Sequence, residues 1–140
     1  MKKILNIYLL YLICACAPLG ENFKQADHLT SNESLIYIYY PYNSCGTPQK
    51  VYLDDRFLTT LYCGGYKLVK TSAGRKKITS ATDAIITLDT QAGQTYFIKG
   101  KSSRYNPQGC FFCNSLHLTL RMTTPNIAIN ELKECQEINE

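Results

Sequence analysis

The sequence predicts a mainly β protein, a small antiparallel β-sandwich with a short C-terminal helix. Three observations carry this. The 140 residues include 11 Tyr and no Trp, and tyrosine suits a pleated, half-buried surface. Roughly seven or eight short runs of β-branched and aromatic residues follow one another at roughly 8–12-residue spacing, with turn residues between them. No such run is followed by a long helical pattern, which argues against a parallel sheet.

The first run, "LIYIYY" at residues 35–40, is apolar or aromatic throughout and reads as a strand covered on both faces, ended by Pro41. In "KVYLDDRFLTTLYC" at residues 50–63, Val51 and Leu53 alternate with Tyr52, and Phe57 alternates with Leu58. Asp54, Asp55 and Arg56 are turn residues between them, so the stretch is a hairpin. Gly64 and Gly65 break the chain. "YKLVKT" at 66–71 is the next strand, Ala73 and Gly74 turn it, and "RKKIT" returns. "AIITLDT" at 84–90 is another, turned by "QAGQ" and paired with "TYFIKG". Residues 100–114, with Gly100, Pro107 and Gly109, read as a loop. "SLHLTLRM" is the clearest alternation. Leu116, Leu118, Leu120 and Met122 face one way, and His117, Thr119 and Arg121 face water, where a lone histidine is ordinarily just polar. At the C-terminus Thr124 can cap a helix with Pro125 at its first position, or Asn130 can cap a shorter one. Leu132, Cys135 and Ile138 would be its apolar stripe.

The N-terminus carries an address. Lys2 and Lys3 precede an apolar run of ten residues, "ILNIYLLYLI" at 4–13, interrupted by Asn6. A bilayer-spanning helix needs about 20 residues, so this is the h-region of an export signal. The run ends Ile13-Cys14-Ala15-Cys16. That resembles the bacterial lipobox, in which a branched apolar residue, a variable small residue and Ala or Gly precede the lipidated cysteine. The resemblance implies a signal peptide over residues 1–15, with Cys16 acylated, palmitate included, as the first residue of the mature chain. A plain secretion signal and a buried helix are the alternatives, and a Cys14–Cys16 bridge would close a strained ring. Several acyl chains anchor stably where one does not. Ala17 follows the cysteine, where Asp would signal inner-membrane retention. The implied address is therefore the outer membrane, facing the periplasm or the cell surface. Residues 16–33, with Pro18 and Gly20, show no period and read as a flexible polar tether carrying His28. Residues 34–140 form the β-sandwich domain.

The net charge is +4, and Lys2 and Lys3 supply two of those charges. The remainder is too small for a nucleic-acid footprint. The densest basic run, "GRKK" at 74–77, reads as a solvated turn rather than an anion or phospholipid site.

The order of these segments resembles the small bacterial lipoproteins catalogued as domain of unknown function 2846, and more loosely PEGA-like envelope β-modules. The resemblance spans about residues 34–99, through "LIYIYYP", "KVYLDDRFLTTL", "GGYKLVKTSAGRKKI" and "TLDTQAGQTYFIK". Gly74 fits the family's middle turn, and Gly93, Tyr96 and Phe97 fit its last strand. Asp55 stands where the family has Gly, and Tyr40 where it has Arg. The family implies a transthyretin-like or immunoglobulin-like sandwich and brings no catalytic residues or cofactors.

There are 7 Cys, and in an exported protein cysteines favour disulfides. The candidates after lipidation are Cys45, Cys63, Cys110, Cys113 and Cys135. Cys45 and Cys63 fall at one end of the sandwich and are the first choice of pair, closing a loop of about 18 residues worth on the order of 3 kcal/mol. Cys135 would pair with Cys110 or Cys113 and tie the helix to the sheet. "GCFFCN" also allows a redox pair, or half a zinc site completed by Cys45 and Cys63. The pair lies in a Gly/Pro loop, however, and a redox pair needs a helix N-terminus. No serine-hydrolase, zincin or P-loop motif is present. Asp54 and Asp55 are paired carboxylates in a turn. Of the tyrosines, Tyr40 and Tyr42, beside Pro41, are the candidate exposed binding surface, and Tyr37 and Tyr39 read as core. The expectation is a non-enzymatic, lipid-anchored binding or structural module without metal or cofactor. Its partners would be the membrane and an envelope protein or glycan, not nucleic acid. A thiol–disulfide or zinc protein using Cys110 and Cys113 is the alternative, and a ligand-carrying sandwich with an apolar cavity is a third.

Overall fold

The computed structural model describes residues 19–26, 32–105 and 115–139. Among these the elements are β1 (Leu19–Asn22), β2 (Glu33–Tyr40), β3 (Gln49–Leu53), β4 (Arg56–Leu61), β5 (Gly65–Ser72), β6 (Gly74–Ser80), β7 (Ile85–Thr90), β8 (Thr95–Tyr105), β9 (Ser115–Met122), α1 (Pro125–Leu132) and β10 (Gln136–Ile138). The protein is mainly β. A six-stranded sheet, β1-β10-β5-β2-β8-β9, packs on a four-stranded sheet, β4-β3-β6-β7.

Strand β2 sits in the middle of the larger sheet, and its two faces serve two cores. Ile36, Ile38 and Tyr40 point between the sheets, where they meet Val51, Leu61, Ile78, Leu88, Ile98 and Leu118. Leu35, Tyr37 and Tyr39 point outward, where Ala128, Leu132, Cys135 and Phe23 cover them. An uninterrupted apolar run is what a strand covered on both faces requires.

Several expectations are corrected. Two pairings are parallel, β2 with β8 and β10 with β5. The chain leaves β2 for β3 and β4 in the smaller sheet, returns as β5, and visits the smaller sheet again as β6 and β7 before it comes back as β8, so the crossover is made of strands and needs no helix. Residues 19–26 are not a loose tether. Strand β1 pairs with β10, the Phe23 N–H donates to the Cys135 carbonyl at 3.2 Å, and the Ala26 N–H donates to the Tyr37 hydroxyl at 2.9 Å. Strand β8 runs through to Tyr105, into the stretch read as loop, because β9 pairs with it from Ile98↔Met122 to Tyr105↔Ser115. Helix α1 stops at Leu132, so Leu132, Cys135 and Ile138 are not one helical stripe. All three are buried, but Ile138 belongs to a strand. The lipobox, His28, Cys110 and Cys113 lie outside the described residues.

The hairpin turn is tighter than its sequence suggests. Arg56 already belongs to β4, leaving Asp54 and Asp55 as a two-residue turn with φ of 49° and 65°. Both central residues left-handed is the type I′ geometry, which usually takes Asn-Gly. Lys77 stabilises it. Its N–H donates to Asp54 Oδ1 at 2.9 Å, and its ammonium meets Asp55 Oδ1 at 2.9 Å. The two carboxylates are spent on this turn.

On β4, Thr59 is fully buried and its hydroxyl has no hydrogen-bond partner among the described residues. An unpaired buried hydroxyl costs about 1–3 kcal/mol. Thr59→Val keeps the branched shape and is expected to raise stability by about 1 kcal/mol, read as a higher urea midpoint at unchanged m-value.

Candidate functional site

The ionisable groups that the fold brings together sit on the outer face of the larger sheet, beneath α1. Tyr39 on β2 and Lys99 on β8 are register partners, so their side chains emerge side by side. Glu131, in the last turn of α1, reaches both. Its carboxylate accepts the Tyr39 hydroxyl at 2.7 Å and pairs with the Lys99 ammonium. The Lys99 and Glu131 side chains are 21% and 17% exposed, so the pair is shielded yet still touches water. Burial, then the hydrogen bond to Glu131, holds the Tyr39 phenol protonated far into alkali. This is a clasp between helix and sheet.

Next to it lies the aromatic cluster. Tyr37 stacks on Phe97 with centroids 5.3 Å apart and planes 9° apart, and Phe23 meets Tyr37 and Tyr66 edge-on at 5.6 Å each. Burial and then the Glu137 charge push the Tyr66 phenol up to about 12. Cys135 closes this core as a free thiol, donating to the Glu131 carbonyl at 3.4 Å. That corrects its proposed role as a disulfide partner, because the chain turns after α1 and aims the sulfur into the sheet. Burial, then Glu131 and Glu134, push the thiol up to about 12.

These raised values fix a pH dependence. A group whose pKa is higher folded than unfolded keeps its proton in the native state while the unfolded chain has lost it. Its contribution is therefore complete at low pH and is lost as pH rises. Cys135 departs from an ordinary 9.0 and Tyr66 from 10.0. The urea midpoint is expected to hold steady below about pH 9 and to fall steadily between about 9 and 12.

The other predicted residues are dispersed. Cys45 and Cys63 form a disulfide with Cα atoms 5.3 Å apart, joining the chain after the Tyr42–Ser44 3-10 turn to the end of β4. As a bonded pair they offer no thiolate, so they cannot complete a zinc site. Tyr40 and Tyr42 do not form one surface. Tyr40 is 1% exposed in the inter-sheet core, its hydroxyl accepting the Gly46 N–H at 2.8 Å, because β2 alternation turns it inward. Tyr42 is 58% exposed. Its ring lies over Gly64, where an added Cβ would fall 2.1 Å from the ring carbon Cζ. The positive φ of 70° at Gly64 and this close approach are why glycine stands there.

His117 and Thr119 on β9 border a shallow cleft of about 350 Å³ that the β6–β7 turn closes at its other side, through Thr82, Asp83, Ala84 and Ile85. Sequence reading passed over this cleft and the Glu131 clasp. The signal for the clasp was a lysine at an outward position between buried strand residues. Among the described residues no group of three or more His, Cys, Asp or Glu side chains is placed to hold a metal ion, and no helix is long and apolar enough to cross a membrane. Comparison with protein-family models, with curated proteins and with solved structures found no match to this chain.

Proposed function

We propose that the chain is a lipid-anchored β-sandwich of the bacterial envelope, held in the outer membrane through Cys16, that acts by binding another envelope component rather than by catalysis. The observation that carries this reading is the segment Ile13-Cys14-Ala15-Cys16 at the end of a ten-residue apolar run. The resemblance to the lipoproteins of domain of unknown function 2846 points the same way. So does the use of the fold's ionisable groups. Glu131, Lys99 and Tyr39 join the helix to the sheet, and Asp54 and Asp55 build a turn. A bridge across Cys45 and Cys63 suits an oxidising compartment.

The test is intact mass of the membrane-extracted protein, unreduced and reduced, with non-reducing peptide mapping. The expected result is a diacylglyceryl and acyl increment on the peptide that begins at Cys16, with Cys110 and Cys113 bridged. An unmodified Cys16 sinks the anchor. Reactive Cys110 and Cys113 thiols, or a metal retained on them, replace the binding module with thiol–disulfide or zinc chemistry.

A further inference from the structure

From the edge geometry we infer that the outer edge of β9, along residues 119–122, is a docking site for an extended polypeptide segment whose acidic and apolar residues alternate. The inference deepens the binding-module reading and rests on it. Among the described residues β9 pairs only with β8 and is an edge strand of the six-stranded sheet. Its eight residues keep register with β8 without a bulge. The other edges are poorer templates. Strand β1 has four residues and an irregular register, and β4 carries a bulge opposite Val51 and Tyr52. The first residues of β7 turn in against β9 at the cleft.

Which backbone groups are open follows from one bond. The Leu118 N–H donates to Thr82 Oγ1 at 3.0 Å, so it points away from β8. Antiparallel pairing alternates, so the N–H and C=O groups of Leu120 and Met122 point outward too. The Thr82 contact ends the open stretch on the Leu118 side. A strand added here would extend the sheet by main-chain hydrogen bonds and send its side chains alternately to the two faces.

The two faces ask for different chemistry. On the inner side Leu118, Leu120, Ala84 and Ile85 form the apolar half of the cleft of about 350 Å³, whose other half is polar. Ile85 is 63% exposed and Met122 50% exposed, and both would be covered by apolar side chains from the added strand. On the outer side Arg121 is exposed, and its register partner is Lys99. Like charges directly opposite each other repel. Glu131 occupies Lys99, and exposed Lys101 lies two residues further along β8. With Lys99 compensated by Glu131, Arg121 is left beside the exposed Lys101, and neither β8 nor β9 carries an acid to pair with it. A carboxylate on the added strand beside Arg121 relieves that arrangement. Exposed Asp83, in the β6–β7 turn, disfavours a second carboxylate at the Leu118 end and so sets the register.

The anchor leaves this edge available. Leu19 opens β1 three residues after Cys16, a reach of at most about 10 Å. Strands β1 and β9 are the two opposite edges of the sheet, about 24 Å apart at about 4.8 Å per spacing. The bilayer holds one edge and leaves the other free.

The test uses the acylated protein in vesicles and a short synthetic peptide alternating glutamate with valine, read by binding and by amide hydrogen exchange. The peptide is expected to bind and to protect the Leu120 and Met122 amides. Met122→Pro, which removes an outward N–H and no ladder bond, should abolish binding while the circular dichroism spectrum is kept. Arg121→Glu should weaken the glutamate peptide by about tenfold or more and favour a lysine–valine one. No binding, binding indifferent to both variants, or β9 protected by self-association without peptide overturns the inference. If Cys16 proves unacylated and the soluble protein still binds through β9, the anchor reading fails and this one stands.

Discussion

Tyr37→Ala is expected to destabilise the protein by about 3–5 kcal/mol, the cost of emptying a buried aromatic site. Tyr37 is wholly buried and holds three things in place at once. Its ring stacks on Phe97 from the neighbouring strand and meets Phe23 from the N-terminal segment. Its hydroxyl receives the Ala26 N–H. Removing the ring opens a cavity under Phe23, and the segment carrying β1 loses its seat. Tyr37→Phe separates the contributions, since it keeps the ring and leaves the Ala26 N–H without its acceptor, for a loss of about 1 kcal/mol. Urea denaturation of the three proteins measures both. Equal losses in the two variants would mean that the hydroxyl, not the packing, secures the segment.

Removing the Cys45–Cys63 bridge by double substitution with alanine is expected to cost about 3 kcal/mol, the loop-closure value for a separation of 18 residues. The loss has a location. The bridge ties the segment after the Tyr42–Ser44 turn to the end of β4, and both ends rest on other contacts. The Tyr40 hydroxyl holds Gly46, and the Gly64 N–H donates to the Tyr40 carbonyl at 2.8 Å. The sheets are therefore expected to persist while hydrogen exchange speeds up in residues 42–49 and 62–64. Reduction by dithiothreitol should speed exchange in these same residues. The single variant Cys63→Ala, which leaves one thiol, should match the double variant to within about 1 kcal/mol. A variant that unfolds outright would show that the bridge holds the two sheets together rather than one loop.

Much of the fold was legible in the chain. The apolar run at 35–40 announced a strand buried on both faces, and the hairpin and the Leu116–Met122 alternation announced their elements through period and turn chemistry. Pairing Cys45 with Cys63 followed from placing both at one end of the sandwich. The candidate site was far less legible. Tyr40 and Tyr42 looked alike beside Pro41, and alternation buried one and exposed the other. Cys135 looked like a bridge partner and is a packed thiol. Lys99 carried a local mark, a lysine between buried strand residues, but its partner Glu131 did not, since the two are 32 residues apart and meet only because α1 folds back over β8.

The division has a physical cause. Local composition determined what each segment can be: an uninterrupted apolar run is a strand covered on both faces, and alternating residues are a half-exposed one. Period and turn residues act over a few positions and are written in the chain. Which strands become neighbours, and in which direction, depends on the whole set of surfaces that must be buried together. Hence the parallel pairing of β2 with β8, the docking of residues 19–26 and the edge position of β9 among the described strands belong to the tertiary structure alone. Those three features decide which groups face each other.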